Sequence, residues 1–378
     1  MKNKIKKKSR NIYINLVVFF ATVFLLMVVS EITLRLIEPN PKYKTENEFK
    51  FYEYSDYLGW KNKPFANGTL SIADSISNVR INSRGLRDYE HTYSKPNGKT
   101  RIEFLGDSFT WGYGVDQSQR YATIFENEIN KKFQNSIEVI DMGTSGYETD
   151  QEYLLFKNEG VKYDPDIAVL AYHNDATFLL KKEAYGYPKP YFEIENSSLK
   201  LMNVPVPARN VTWDQRFYLH DNGLFWKTIL DANYLISNLK IYVLARDALL
   251  KVQFIHDLVL GKPEMTEEEY MKKALKVIDL ILLDSKKIAD KNHAKFIVLL
   301  IPDKNQVYGS QKTTEIDHIV EFARNNNIHL INMLPDLREI AKQNKNLYFD
   351  IDGHFSIEGN EIFGKLLAEK FIQNKIIT

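Results

Sequence analysis

The sequence predicts an α/β protein: a parallel sheet with helices on both faces, three layers deep, preceded by one N-terminal transmembrane helix. Three observations lead there. From about residue 99 onward, short apolar runs alternate with stretches of helical periodicity, the pattern that builds a parallel sheet. Several of those runs are continuous rather than alternating, as strands covered on both faces require. At the amino end, a long uncharged apolar segment follows a cluster of basic residues.

That cluster holds Lys2, Lys4, Lys6, Lys7, Lys8 and Arg10, and residues 11–30 carry no charge. About 20 residues make roughly 30 Å of helix, the depth of a bilayer's hydrocarbon core. The basic flank holds its side in the cytoplasm, so everything after Glu31 faces outward in a single-pass protein of the cell membrane. Glu31 and Arg35 would each cost about 2.5–3.5 kcal/mol at mid-membrane, so the span is expected to end near Ser30. Pro39 and Pro41 then stop the helix. A cleaved signal peptide, with residues 28–30 as the cleavage site, is the other reading, and both export the rest of the chain. The expected divisions are a basic tail and anchor over 1–36, a connecting segment with a short hairpin over 37–98, and a catalytic-type domain over 99–378 with an insertion at about 178–263.

The 378 residues carry a net charge of only +1, so no global field argues for nucleic acid as a partner. With 44% hydrophobic and 26% charged residues the chain is of ordinary globular composition. There is no Cys, which excludes disulfides, Cys-ligated zinc and thiol catalysis.

In the connecting segment Phe51, Tyr52, Tyr54, Tyr57 and Trp60 are expected to pack on the domain that follows. Asn67-Gly68 is a hairpin-turn signal, and residues 79–85 read as a short strand and turn. Arg80, Arg84 and Arg87 are expected to be solvated or paired with Asp88 and Glu90, with an acidic ligand as the alternative.

The domain opens with an alternating strand over 101–105, which runs into Gly106-Asp107-Ser108. Gly106 suits a turn where a side chain would clash, and Ser108 falls at the carboxyl end of a strand, where open α/β sheets place their ligands. Ala122, Phe125, Ile129 and Phe133 mark a helix. The strand over 136–140 leads to Asp141, Gly143 and Gly146, a helix follows over about 149–159, and the strand over 166–172 ends in His173-Asn174-Asp175. Thr266 and Glu269 form a capping box that starts a helix with Tyr270, Ala274, Val277, Ile281 and Ile288 on one stripe. Strands over 295–301 and 328–332 follow. Ser356 caps a last helix that buries Ile362, Phe363, Leu366, Leu367 and Phe371, and this leaves His354 on the loop before it. Ser108, Gly146, Asn174 and the Pro302-Asp303 turn all follow strands, so all lie along one edge of the sheet.

These pieces fit one chemistry. A serine hydroxyl needs a base to take its proton, and the base needs a third group to fix its tautomer; Ser108, His354 and Asp352 can fill those roles. The N–H groups of Ser108 and Gly146 and the amide of Asn174 can stabilise the oxyanion that develops. No metal or organic cofactor is called for. Asp350, Asp352 and His354 stand at alternate positions, as metal ligands can, but no further cluster completes such a site. Asp107 is read as structural, holding the serine turn through backbone hydrogen bonds, and His173 as a packed histidine at the sheet edge.

In four ordered blocks the chain resembles the SGNH/GDSL hydrolase family. These are Gly106-Asp107-Ser108, the glycine block from Gly143 to Gly146, Asn174-Asp175, and Asp352-Gly353-His354. The resemblance covers about residues 99–378, less the insertion. It implies a flavodoxin-like three-layer α/β/α fold, Ser108 as nucleophile, His354 as base, and Gly146 and Asn174 as oxyanion donors. The commoner family pattern puts Asp three residues before His, which is Ile351 here. Asp352 fits the Asp-x-His variant found in membrane-associated and acetyltransferase-like branches, and Asp350 is the alternative.

The insertion holds Tyr185, Tyr187, Tyr191, Phe192, Trp213, Phe225 and Trp226, then an apolar helical stretch over about 235–260. It is expected to form a lid or wall of the cleft, with aromatics that either stack on sugar rings or cover a secondary core. The resulting expectation is a membrane-anchored serine esterase acting on a small acyl group, acetyl, of a cell-envelope or exported glycan, or on another small ester. An O-acetyltransferase of an exopolysaccharide pathway, working with a membrane acyl-transfer partner, shares the same acyl-enzyme. An inactive glycan-binding scaffold is the reading from another class.

Overall fold

The computed structural model describes residues 2–37, 49–173, 176, 178–208, 265–309, 313–343 and 345–377. The chain divides into two units, one holding the N-terminal helix and the other residues 43–210 with 265–378.

Helix α1 runs over Lys2–Ile37. It contains Val17–Leu34, the one stretch among the described residues long and apolar enough to cross a membrane. The helix continues past Ser30 and Glu31, because helical hydrogen bonding needs no apolar surroundings; the expected end of the span is not the end of the helix. Thr22 and Thr33 return their hydroxyls to the carbonyls of Val18 and Val29, each at 2.8 Å. That internal satisfaction is what an apolar environment demands of a polar side chain.

The second unit opens with two antiparallel hairpins, β1 (Tyr52–Ser55) with β2 (Gly59–Asn62), and β3 (Asn67–Ser71) with β4 (Ile76–Arg80). Asn67-Gly68 is not the turn. Asn67 pairs with Arg80 and Gly68 with Val79, at the open mouth of the second hairpin. The chain reverses only at residues 72–75, where Ile72 N donates to Ser75 O at 2.9 Å. A local turn signal was overridden by the pairing of Thr69 and Leu70 across the strands. Leu58, Trp60 and Leu86 of this segment enter the main core, and Phe51, Leu70, Val79 and Ile81 gather with Trp111 in a second cluster. Residues of this segment thus pack on the domain that follows.

The central sheet is parallel and has five strands: β5 (Thr100–Gly106), β6 (Ile137–Asp141), β7 (Ile167–Tyr172), β12 (Lys295–Leu300) and β13 (His329–Asn332). Their order across the sheet is β13-β12-β7-β5-β6. Counting those five strands in chain order gives 2-1-3-4-5, the flavodoxin-like doubly wound arrangement. The order reverses between β5 and β7, and that switch point is where such sheets bind ligands. Every residue of β7 is buried, as its unbroken apolar run predicts.

After β5 comes the four-residue α2 (Ser108–Trp111), then α3 (Tyr121–Phe133), and after β6 comes α4 (Thr149–Asn158). Between β7 and β12 the insertion contributes the small strands β8 (Glu183–Ala184), β9 (Tyr187–Pro188), β10 (Tyr191–Glu195) and β11 (Ser198–Met202), and beyond it lies α5 (Glu267–Lys291). The chain ends with α6 (Lys304–Tyr308), α7 (Thr314–Asn325), α8 (Leu334–Ala341) and α9 (Ile357–Gln373). Phe125 of α3 packs edge-on against Phe104 of the sheet and Phe371 of α9, which fixes these two helices on one face. The two predicted caps form: Thr266 Oγ1 accepts from Glu269 N at 3.2 Å, and Ser356 Oγ from Gly359 N at 3.0 Å. Each stabilises its helix by about 1 kcal/mol. Phe363, Leu367 and Phe371 of α9 are buried, with Ile362 and Leu366 packed at the margin.

Candidate active site

Ser108 stands where β5 ends. The turn that presents it needs Gly106, because a Cβ there would lie 2.0 Å from Thr110 Oγ1 and 2.8 Å from Thr110 Cβ. Asp107 caps α2, its Oδ1 accepting from Phe109 N at 2.8 Å. Phe109, Thr110 and Trp111 are buried while Ser108 is half-exposed, so the short helix is anchored by its other residues and leaves its serine accessible.

His354 arrives from the far end of the chain. Its Nε2 lies 2.6 Å from Ser108 Oγ. Its Nδ1 is hydrogen-bonded to Oδ1 of Asp352, which also accepts from His354 N at 3.3 Å. Of the two aspartates, Asp352 contacts the ring and Asp350 is exposed. Burial works against the charge on Asp352, but the hydrogen bond and charge of His354 outweigh it and hold the carboxyl below its ordinary range. The imidazole lies between two rings, with centroids 4.8 Å from Phe109 and 4.7 Å from Tyr113. Geometry of this kind lets the hydroxyl pass its proton to Nε2 while the carboxylate holds the other nitrogen as N–H.

The loop after β6 lies against the serine turn backbone to backbone. Thr144 N donates to Gly106 O at 3.0 Å, and a Cβ on Gly143 would sit 2.3 Å from Trp111 N. Asn62 of β2 ties the two together, donating to Gly143 O at 3.4 Å and accepting from Trp111 Nε1 at 3.1 Å. Gly146, with φ +76°, lies between Trp60 and Tyr185, and Trp60 Nε1 donates to Ser145 O at 3.1 Å. Asn174 lies outside the described residues. Just before it, His173 Nδ1 bonds Ile301 O at 3.0 Å and its ring packs 4.1 Å from Phe109, a packed position at the sheet edge.

The described part of the insertion forms a wall beside the glycine loop. Tyr187 packs on Trp60 with centroids 5.9 Å apart, and a Cβ on Gly59 would lie 2.3 Å from Pro188 O. Lys189 is buried in an ion pair with the buried Asp150 of α4. Trp213, Phe225, Trp226 and the stretch over 235–260 lie outside the described residues.

Three further groups at this site carry no local sequence signal. Arg87, expected in solvent or paired with acids, is fully buried. It donates to the carbonyls of Trp111 (2.9 Å), Gly112 and Val115, and to Asn78 O at 3.1 Å. Burial first, and the neighbouring charge of Arg120 second, pull its pKa down to about 9. Arg80 is exposed, and Arg84 lies over the Tyr93 ring at 3.9 Å. Asp88 pairs instead with Arg120, at 3.1 Å, and with His91, while Arg120 also holds Asp141 at 2.8 Å beneath the glycine loop. Asp74 and Lys304 contact the loop that carries His354. Asp74 accepts from Asp352 N at 2.8 Å, and Lys304 Nζ donates to Asp350 O at the same distance.

No protein-family model matches the sequence, and no curated protein matches it either. Solved structures do. An acetyl xylan esterase is 15% identical and aligns over 73% of this chain and 99% of its own, with a TM-score of 0.39. A putative lipolytic protein of the G-D-S-L family from Desulfitobacterium hafniense is 13% identical over 72% of this chain and 99% of its own, with a TM-score of 0.38. A lipase/acylhydrolase from Enterococcus faecalis is 14% identical over 73% and 96%, with a TM-score of 0.39.

Proposed function

We propose that the protein is an SGNH-type serine esterase, anchored in the cell membrane by α1 with its catalytic unit outside the cytoplasm. Its substrate is a small acyl ester, acetyl, on a cell-envelope or exported glycan. The observation that carries the chemistry is the approach of His354 Nε2 to Ser108 Oγ at 2.6 Å, with Asp352 on the other ring nitrogen.

Ser108 Oγ attacks the ester carbonyl and its proton passes to His354 Nε2. Asp352 stabilises the imidazolium and fixes the ring. The N–H groups of Ser108 and Gly146 and the side-chain amide of Asn174 receive the oxyanion. Collapse expels the alkoxide of the glycan, which takes the proton from Nε2, and leaves the acyl group on Ser108. Water then attacks with His354 as base, and the acid departs as Ser108 Oγ regains its proton. A sugar hydroxyl in place of that water makes the same site a transferase.

Support for the placement comes from the basic residues ahead of α1 and its uncharged length. Support for the substrate comes from that placement and from the motif resemblance.

The test is labelling with a fluorophosphonate probe. Ser108 of the wild type forms a covalent adduct, and Ser108→Ala loses both labelling and about 10³-fold or more of kcat toward an acetyl ester. Well-folded protein that never labels and functions unchanged as Ser108→Ala would instead be a scaffold.

A further inference from the structure

We propose that Asp74 is a positioning residue for the His354–Asp352 pair, holding the loop that presents them from the turn between β3 and β4. The inference rests on the serine-hydrolase reading above.

The loop has little else to hold it at its tip. Its base is closed by Phe349 N donating to His354 O at 2.8 Å and Ser356 N to Leu347 O at 3.0 Å. Beyond that closure Asp350 and Ile351 are exposed, and a Cβ on Gly353 (φ +88°) would meet nothing within 4 Å. Apolar packing therefore does not fix residues 350–353. Polar contacts do. The carboxylate of Asp74 accepts from Ile351 N at 3.2 and 3.1 Å and from Asp352 N at 2.8 Å. On the carbonyl side, Lys304 Nζ donates to Phe349 O at 3.0 Å and Asp350 O at 2.8 Å. An anion takes two successive N–H groups and a cation takes two successive carbonyls, so each charge meets the peptide dipoles in their favourable sense. Bonds of this kind, with one partner ionised, are about twice as strong as neutral ones.

Asp74 is itself held. Its hairpin is tied down where Asp116 Oδ1 accepts from Asn78 N at 2.6 Å, and Ile72 packs where Gly114 has no side chain. The turn thus transmits the position of β3 and β4 to the backbone of Asp352, the residue that orients the imidazole. Loss of such support displaces the pair by a fraction of an ångström to an ångström, which costs up to about 10²-fold in rate. Asp74 touches neither substrate nor the reacting atoms.

The experiment uses the full chain in detergent micelles and compares wild type, Asp74→Ala and Asp74→Asn. Three quantities are read: hydrogen exchange over residues 347–356, the rate of fluorophosphonate labelling at Ser108, and kcat and KM for p-nitrophenyl acetate. In Asp74→Ala, the amides of Ile351 and Asp352 exchange about tenfold faster or more. Its kcat falls about 10- to 100-fold with KM within about twofold, and labelling slows in proportion. Asp74→Asn, whose Oδ1 can still take both N–H groups, recovers most of the loss and lies about two- to fivefold below wild type. Should the alanine variant fail to fold, the same split in Asp74→Asn, lower kcat at constant KM, supports the proposal. Unchanged exchange overturns it, as does faster exchange with unchanged kcat. A wild type that neither labels nor turns over, with exchange still responding to Asp74→Ala, fells the hydrolase reading and the proposal with it, and that pattern is distinct from the other two.

Discussion

The guanidinium of Arg87 lies over the indole of Trp111 at 4.3 Å while it donates to that residue's own carbonyl. A short helix leaves its last carbonyls without intrahelical partners, and α2 has four residues. Arg87 supplies those partners for Trp111 and Gly112 and reaches on to Val115.

Arg87→Ala would strand the carbonyls of Trp111 and Val115 in the interior at about 1–3 kcal/mol each, while Gly112 O keeps the N–H of Val115 at 3.3 Å. The expected loss is about 3 kcal/mol or more, read as a lower midpoint in chemical denaturation, together with loss of fluorophosphonate labelling. Arg87→Lys recovers only part, because one ammonium cannot span the same fork of acceptors.

The two aspartates near His354 separate cleanly by substitution. Asp352→Asn removes the charge that stabilises the imidazolium and lets an amide N–H face Nδ1, which favours the wrong tautomer, and kcat toward an acetyl ester falls about 10³–10⁴-fold. Asp350→Asn leaves kcat within about threefold, because only the main-chain carbonyl of Asp350 is engaged, by Lys304. Steady-state kinetics of the two variants decide the matter, and equal losses would contradict the assignment.

Gly143 and Gly146 differ in what a methyl group would meet. At Gly143 the added Cβ lies 2.3 Å from Trp111 N and 2.6 Å from Thr110 C, both main-chain atoms that have no rotamer to yield. Gly143→Ala should cost about 3 kcal/mol or more and shift the serine turn. At Gly146 the nearest atoms stand at 3.4 Å, so Gly146→Ala carries only the left-handed backbone penalty, about 1–2 kcal/mol. Thermal unfolding of the pair measures the contrast.

His91 sets a pH dependence of stability. Burial opposes its charge, yet hydrogen bonds to Asp88 and Glu138 outweigh that and raise its pKa from 6.5 to about 9. A raised folded-state value means that the folded state binds the proton more tightly than the unfolded one. The contribution is therefore full below pH 6.5 and is lost as pH rises through 9, up to about 3 kcal/mol in all. Unfolding free energy measured from pH 6 to 10 should fall across that window, and His91→Gln should flatten the slope.

What could be read from the sequence follows a physical division. Strands β5, β6, β7, β12 and β13 announce themselves because each is an apolar run between turn residues, and a parallel sheet places the residue after each run on a common edge. Ser108 is legible for that reason, and His354 because the cap at Ser356 leaves it on the loop that enters α9. Asp74, Arg87 and Lys304 are not, because their roles come from atoms distant in sequence: Asp74 meets amides 277 and 278 residues onward. Arg87 sits among Arg80, Arg84, Asp88 and Glu90 and reads as one more solvated charge. Its burial depends on carbonyls that exist as acceptors only once α2 has formed. The Asn67-Gly68 reading failed in the opposite sense, since a strong local preference yielded to strand pairing.

The hydroxyl and the imidazole that meet at 2.6 Å are separated by 246 positions along the chain. During synthesis the serine emerges long before its base, and the pair is complete only once α9 and the loop ahead of it have folded against the sheet. On the proposed chemistry, a nascent polypeptide in which α9 has not yet docked holds an alcohol without its base, so reactivity would switch on only with that docking.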